Sequence, residues 1–199
     1  MLLNSFRAAL AAISLSLGAS AASAAPIQYV FSGTATSGAL AGQEFSNTVF
    51  EFRMFGDTAN VAGDCAALCK NIASSVSFSI SGIGSGTLDL SYAIFLNATS
   101  TAVGMQLAND FDRVDLYGVP SIVGYDLASN FGPLTSGFSF VGQFNPDPTS
   151  AGSLSLVGGT GVTFQAIMQD TQAVPEPASL ALVGLALVGL AASRRRKSD

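Results

Sequence analysis

The chain has 199 residues, no histidine, no tryptophan, 11% charged residues and a formal net charge of −5. Without imidazole it lacks the commonest general base, the Ser-His-Asp and Cys-His arrangements, and the usual ligands of zinc and copper. A net acidic chain also argues against nucleic acid as a partner, so a non-enzymatic protein without a cofactor is expected.

Residues 1–24 begin with one cation, Arg7, continue with an apolar run over 8–17, and end in Ala22-Ser23-Ala24. This is the pattern of a secretory signal peptide handed to the translocon, with cleavage expected after Ala24 to leave Ala25 first. A cut one residue later would put Pro26 first, which disfavours processing.

The region 25–173 has the length of one domain and is large enough to bury a core. It holds three cations, Arg53, Lys70 and Arg113, against eleven acids, a formal balance of −8. Gly, Ser and Thr are abundant and the apolar residues recur with period two, which predicts strands. The expected strands lie at 27–34, 50–54, 76–81, 88–92, 103–107, 138–140, 154–156 and 162–166, with shorter candidates at 114–117 and 122–125. Turn signals fall at Gly56-Asp57, 82–86, Asn109-Asp110, 145–148 and Gly158-Gly159. One apolar and one Ser/Thr/Gln/Asp face per strand predicts antiparallel sheets wetted on one side. Nine or ten such strands read as an all-β fold, a β-sandwich or jelly roll.

Two clusters in this region could carry chemistry. Cys65 and Cys69 are the only cysteines, and an even pair in an exported chain most simply forms a disulfide. Their spacing differs from the C-x-x-C of thioredoxin-like redox motifs. The second cluster is Asn109-Asp110-Phe111-Asp112-Arg113-Val114-Asp115. It is read as a solvated turn with Asp112 and Arg113 exposed. Alternatively, Asp110, Asp112 and Asp115 are candidate calcium ligands, although the Gly and terminal Glu of an EF-hand loop are missing. A carboxylate pair for glycoside hydrolysis is the least favoured reading.

The C-terminus differs from everything before it. Val174-Pro175-Glu176-Pro177 is an extended handle, because each proline fixes its own φ and restricts the residue before it. Residues 178–193 are apolar on every side and free of charge, and Arg194, Arg195, Arg196 and Lys197 follow. A helix of sixteen residues spans about 24 Å, short of a hydrocarbon core of about 30 Å, so thinning or snorkelling is needed. The positive-inside bias places 194–197 and Arg7 in the cytoplasm and the intervening domain outside. On these properties alone, an ordinary tail anchor without processing is the alternative.

The combination resembles the PEP-CTERM sorting signal of exported bacterial proteins. The resemblance covers 174–199 and implies recognition by an exosortase, a membrane cysteine protease, with removal of the helix near Pro175-Glu176-Pro177. It also implies a Gram-negative bacterium that makes exopolysaccharide. The expected protein is thus held briefly in the inner membrane and released to the cell surface or extracellular matrix, where it has a structural or interaction role. A carbohydrate-binding module is the alternative role; against it, Tyr29, Tyr92, Tyr117 and Tyr125 are scattered and no Trp is present.

Overall fold

A chain poor in Lys and Glu and rich in alternating apolar and hydroxyl residues can bury its apolar side only by pairing strands. The computed structural model describes residues 24–109, 112–135, 138–141 and 146–169. These residues form thirteen strands: β1 Pro26–Leu40, β2 Gln43–Asp57, β3 Val61–Asp64, β4 Leu68–Ile72, β5 Ser75–Ile80, β6 Gly84–Thr87, β7 Tyr92–Asn97, β8 Ala102–Leu107, β9 Asp112–Tyr117, β10 Phe131–Thr135, β11 Phe138–Val141, β12 Asp147–Thr149 and β13 Gly152–Met168. Two short 3-10 turns, Thr58–Asn60 and Pro120–Ile122, complete the described elements.

The strands make two antiparallel sheets. The first runs β10-β13-β1-β2-β5-β6, with β12 also paired to β13; the second runs β11-β9-β8-β7-β4-β3. Side chains from both sheets join one apolar cluster, with Phe31, Phe52, Phe78 and Phe164 from the first and Ile94, Leu96, Val103, Met105, Val114 and Leu116 from the second. The four phenylalanines are register partners across β13, β1, β2 and β5. The ring centroids of Phe31 and Phe164 are 5.1 Å apart, those of Phe52 and Phe78 6.5 Å. Such cross-strand pairs stabilise a sheet beyond their burial. One row further along, the Phe50 ring lies over Gly33, where an added Cβ would come within 3.0 Å of it.

Several expected boundaries move, each for a physical reason. The 27–34 and 50–54 segments extend into one long hairpin, β1 and β2, paired from Pro26↔Asp57 to Leu40↔Gln43. Gly158-Gly159 is no turn. Gly159 pairs with Ala35 in regular register, and the shift against β1 falls further along, where Ser32 pairs with Thr163 and Thr34 with Thr160, so the bulge lies at Gly161-Val162 and β13 continues through both. The 88–92 segment is not a strand. Here the chain crosses from β6 in the first sheet to β7 in the second, which opens at Tyr92; Leu88 makes an isolated bridge to Thr149 and donates its N–H to the Val76 carbonyl at 2.9 Å. The 122–125 segment starts in a 3-10 turn entered through Pro120, whose ring fixes φ.

One face of each sheet was expected to be wet. The first sheet follows that rule: its outer face carries the rows Thr163-Ser32-Glu51-Ser79-Ser85 and Gln165-Val30-Arg53-Ser77-Thr87. The centre of the second sheet does not. Ala93, Phe95, Ala102, Gln106 and Asp115 are all buried although they face away from the shared core. Among the described residues no helix is long and apolar enough to cross a membrane. The apolar segment 178–193 lies outside the described residues, as do Val174, Pro175, Glu176, Pro177 and the basic end 194–197.

Candidate functional site

The start of the β-region is pinned by a reciprocal contact. The Ala25 N–H donates to Thr58 Oγ1 at 3.0 Å, and the Thr58 N–H donates to the Ala25 carbonyl at 3.0 Å. Ala24 beside it is exposed, and Ala22 lies outside the described residues.

Cys65 and Cys69 are joined by a disulfide with their Cα atoms 4.7 Å apart. It bridges a β-hairpin, because Gly63 pairs with Cys69 and Asp64 with Leu68, leaving 65–67 as the turn. Gly63 adopts φ +95° to enter it, a conformation costly for residues with a Cβ. Asp64 Oδ1 accepts the Ala66 N–H at 2.9 Å and fixes the turn. Cys69 is buried in the core and Cys65 packs at its margin.

The expectation of an exposed Arg113 is overturned. Arg113 is 8% exposed and makes a bidentate pair with Asp147, Nε to Oδ2 at 2.8 Å and Nη2 to Oδ1 at 3.1 Å. The Tyr92 hydroxyl donates to Asp147 Oδ2 at 2.7 Å. Burial, then the bond to Asp147, raise the Tyr92 phenol well above its usual range. This cluster ties β7 and β9 of the second sheet to β12 of the first. Two buried charges survive here because both are hydrogen-bonded in fork geometry. A second polar tie joins the sheets elsewhere. The Asn71 amide donates to the Tyr29 hydroxyl at 2.8 Å and to the Asp57 carbonyl at 3.0 Å, while the Tyr29 hydroxyl donates to the Leu127 carbonyl.

The acidic cluster separates into different environments. Asp110 lies outside the described residues; Asp112 is exposed; Asp115 is fully buried. Residues three apart on a regular strand face opposite sides. A register shift on β9 changes this: Met105 pairs with Val114 but Gln106 pairs with Asp112. Arg113 is the extra residue, and the bulge carries Asp112 to the same outer face as Asp115. Period-two reasoning could not find this pairing, and the sequence offers no signal for it.

On that face Lys70, Phe95, Gly104 and Asp115 are register partners across β4, β7, β8 and β9. Gly104 is the low point of the row: a Cβ there would fall 1.9 Å from Asp115 Oδ1 and 2.6 Å from the Phe95 ring. The Tyr117 hydroxyl donates to Asp115 Oδ2 at 2.9 Å, whereas Asp115 Oδ1 has no hydrogen-bond partner. Burial, followed by the neighbouring Asp112 charge, pushes the Asp115 carboxyl up to about 8. Asp115 is therefore largely protonated at neutral pH. Above the row is a groove of about 300 Å³ lined by Lys70, Phe95, Asn97, Gln106, Asp112 and Tyr117 among others. No set of three His, Cys, Asp or Glu residues able to hold a metal ion occurs among the described residues. Asp112 and Asp115 stand side by side on one strand rather than across a cleft.

Fold and geometry define the class as an all-β protein of antiparallel sheets carrying a disulfide-closed hairpin. The particular address is written beyond the sheets: residues 173–197 match the PEP-CTERM protein-sorting motif, and the chain carries that motif. It implies export and membrane-associated sorting, with processing by an exosortase, a membrane protein. No curated protein and no solved structure matches the chain.

Proposed function

We propose that this is a non-enzymatic surface or extracellular-matrix protein, a two-sheet β-sandwich delivered by the secretory translocon, held transiently in the inner membrane, and released by an exosortase. The carrying observation is the C-terminal sorting motif at 173–197, downstream of a β-region that ends at Met168. The absence of histidine, and a buried ion pair serving as an inter-sheet tie, support a structural role for the domain. Immunoblots of cells with and without the exosortase provide the test. A shorter, membrane-free product only in the exosortase-containing cells is expected; identical size and membrane retention in both would remove the proposal.

A second reading has a specific observation in its favour: the domain acts as a module for exopolysaccharide. The groove on the outer face of the second sheet brings Tyr117, Gln106, Asn97 and Asp112 together over Phe95. Retention of the purified protein on the organism's own extracellular polysaccharide is expected, and its absence would exclude this role.

A further inference from the structure

We propose that the fold closes around its own new N-terminus. Thr58 is the receptor for Ala25, and the completed first sheet shields the Ala24–Ala25 bond, so the signal peptide has to be removed before that sheet forms. This rests on the secretory reading and adds to it an order of events and the residue that sets it.

The cut is a hydrolysis. Water adds to the Ala24 carbonyl carbon and the C–N bond to Ala25 breaks, which leaves a carboxylate on Ala24 and an α-ammonium on Ala25. A peptidase reading Ala22-Ser23-Ala24 holds the chain across the cut as an extended strand, through free backbone N–H and C=O groups. The folded protein withholds those groups from Ala25 onwards. Thr58 takes both from Ala25, its Oγ1 accepting the N–H and its own N–H donating to the carbonyl, each at 3.0 Å. The Pro26 carbonyl accepts the Gln169 N–H at 2.9 Å. Ile27 is 0% exposed and paired on both sides, with Gly56 and with Met168.

Local structure places Thr58 for this contact. Asp57 caps the 3-10 turn Thr58–Asn60, its Oδ1 accepting the Ala59 N–H at 2.8 Å. The turn follows β2 directly and brings Thr58 beside the start of β1, where Pro26 pairs with Asp57. A hydroxyl oxygen accepts from an amide and from an ammonium alike. The contact therefore outlasts the cut and becomes charge-assisted after it.

Strand order sets when the shield forms. β1 lies between β2 and β13. Its hairpin with β2 is local, but an isolated two-stranded hairpin is marginally stable in water. The other neighbour, β13, is the last of the described strands, and Gln169 follows directly after its end at Met168. The Ala24–Ala25 bond thus stays open to the peptidase until β13 has crossed the membrane, and closes when β13 pairs with β1.

The test uses the full chain with its signal attached, purified in detergent and incubated with purified signal peptidase. Cleavage between Ala24 and Ala25 is timed by mass spectrometry, and circular-dichroism melts report the fold. Phe31→Asp, a charge placed at a fully buried core position, serves as the unfolded reference. Ile94→Val, in the core of the second sheet, is the folded control for a small general destabilisation. The expected result is cleavage of the Phe31→Asp chain at least tenfold faster than the folded parent. Thr58→Val should be cut at least threefold faster than the parent, with Thr58→Ser and Ile94→Val like the parent. Equal rates for the parent and Phe31→Asp would overturn the shielding and leave the secretory reading standing. A Thr58→Val rate equal to the parent's, or matched by Ile94→Val, would overturn Thr58 as the receptor. A parent with no cooperative melt while its signal is attached would remove the docking of Ala25 as the reason for the order. No cleavage at Ala24–Ala25 in any chain, the unfolded one included, would overturn the expected cut site and this proposal with it.

Discussion

The two sheets are built from similar alternating sequence and treat their outer faces in opposite ways. The first is long-stranded and wet outside, with the exposed pair Arg53 Nε–Glu51 Oε1 at 2.6 Å among serines and threonines. Its stability lies inside, in the row Phe164-Phe31-Phe52-Phe78. The second has strands of at most six residues and takes polar groups into burial: Gln106 and Asp115 on its outer face, Asn71 towards the first sheet, and Arg113 in the pair with Asp147. The first sheet therefore supplies most of the apolar packing. The second carries buried polar groups on its outer face and the groove, while the buried ties between the sheets draw on both, Asp147 and Tyr29 coming from the first.

If that division holds, substitutions should separate by sheet and by face. The largest loss is expected inside the first sheet, where Phe52→Ala should cost about 4 kcal/mol in denaturant unfolding. Asp147→Ala should cost about 3 kcal/mol, because it leaves the Arg113 charge buried without its partner; a loss under about 1 kcal/mol would mean the inter-sheet pair is not a tie. Replacing both cysteines with serine should cost about 2 kcal/mol, the small loop-closure effect of a four-residue separation.

Asp115→Asn should act in the opposite direction and depend on pH. The Asp115 carboxyl is raised from 3.8 to about 8 in the folded protein. Between those values the folded state holds a proton that the unfolded state has released, so stability falls as pH rises from about 4 to about 8. The Asn variant lacks this slope. It should exceed the parent at pH 8.5 by at least about 1 kcal/mol and lose that advantage near pH 4, as read from unfolding at both pH values. A pH-independent difference would show that Asp115 does not titrate between folded and unfolded states. The smallest effect belongs to the wet face of the first sheet, where Ser79→Ala should stay within about 0.5 kcal/mol.

Much of this was legible beforehand, for reasons that differ by segment. Phe50, Phe52, Val76, Phe78 and Ile80 announce their strands because period two is a local property of a half-buried ribbon. The cysteine pair was readable because two cysteines allow one connectivity. The weakly patterned strands β3, β4 and β6 were not legible: Val61–Asp64 and Gly84–Thr87 are edge strands with little apolar content, and they form because a neighbour offers backbone partners. The candidate site was half legible. Asp112, Asp115 and Tyr117 are near neighbours in sequence, but Lys70, Phe95 and Gln106 reach them only through pairing across four strands.

The sequence by itself determined the address and the class. A hydrophobic tail with prolines before it and cations after it, and alternation without helix formers, are chemical properties of short contiguous stretches. Only the tertiary structure decided the rest: that Arg113 is buried against Asp147, that a bulge turns Asp112 and Asp115 to one face, and that Gly104 leaves room for a carboxyl. Each depends on register between strands distant in the chain, and register is fixed by the packing of the whole core rather than by any local run.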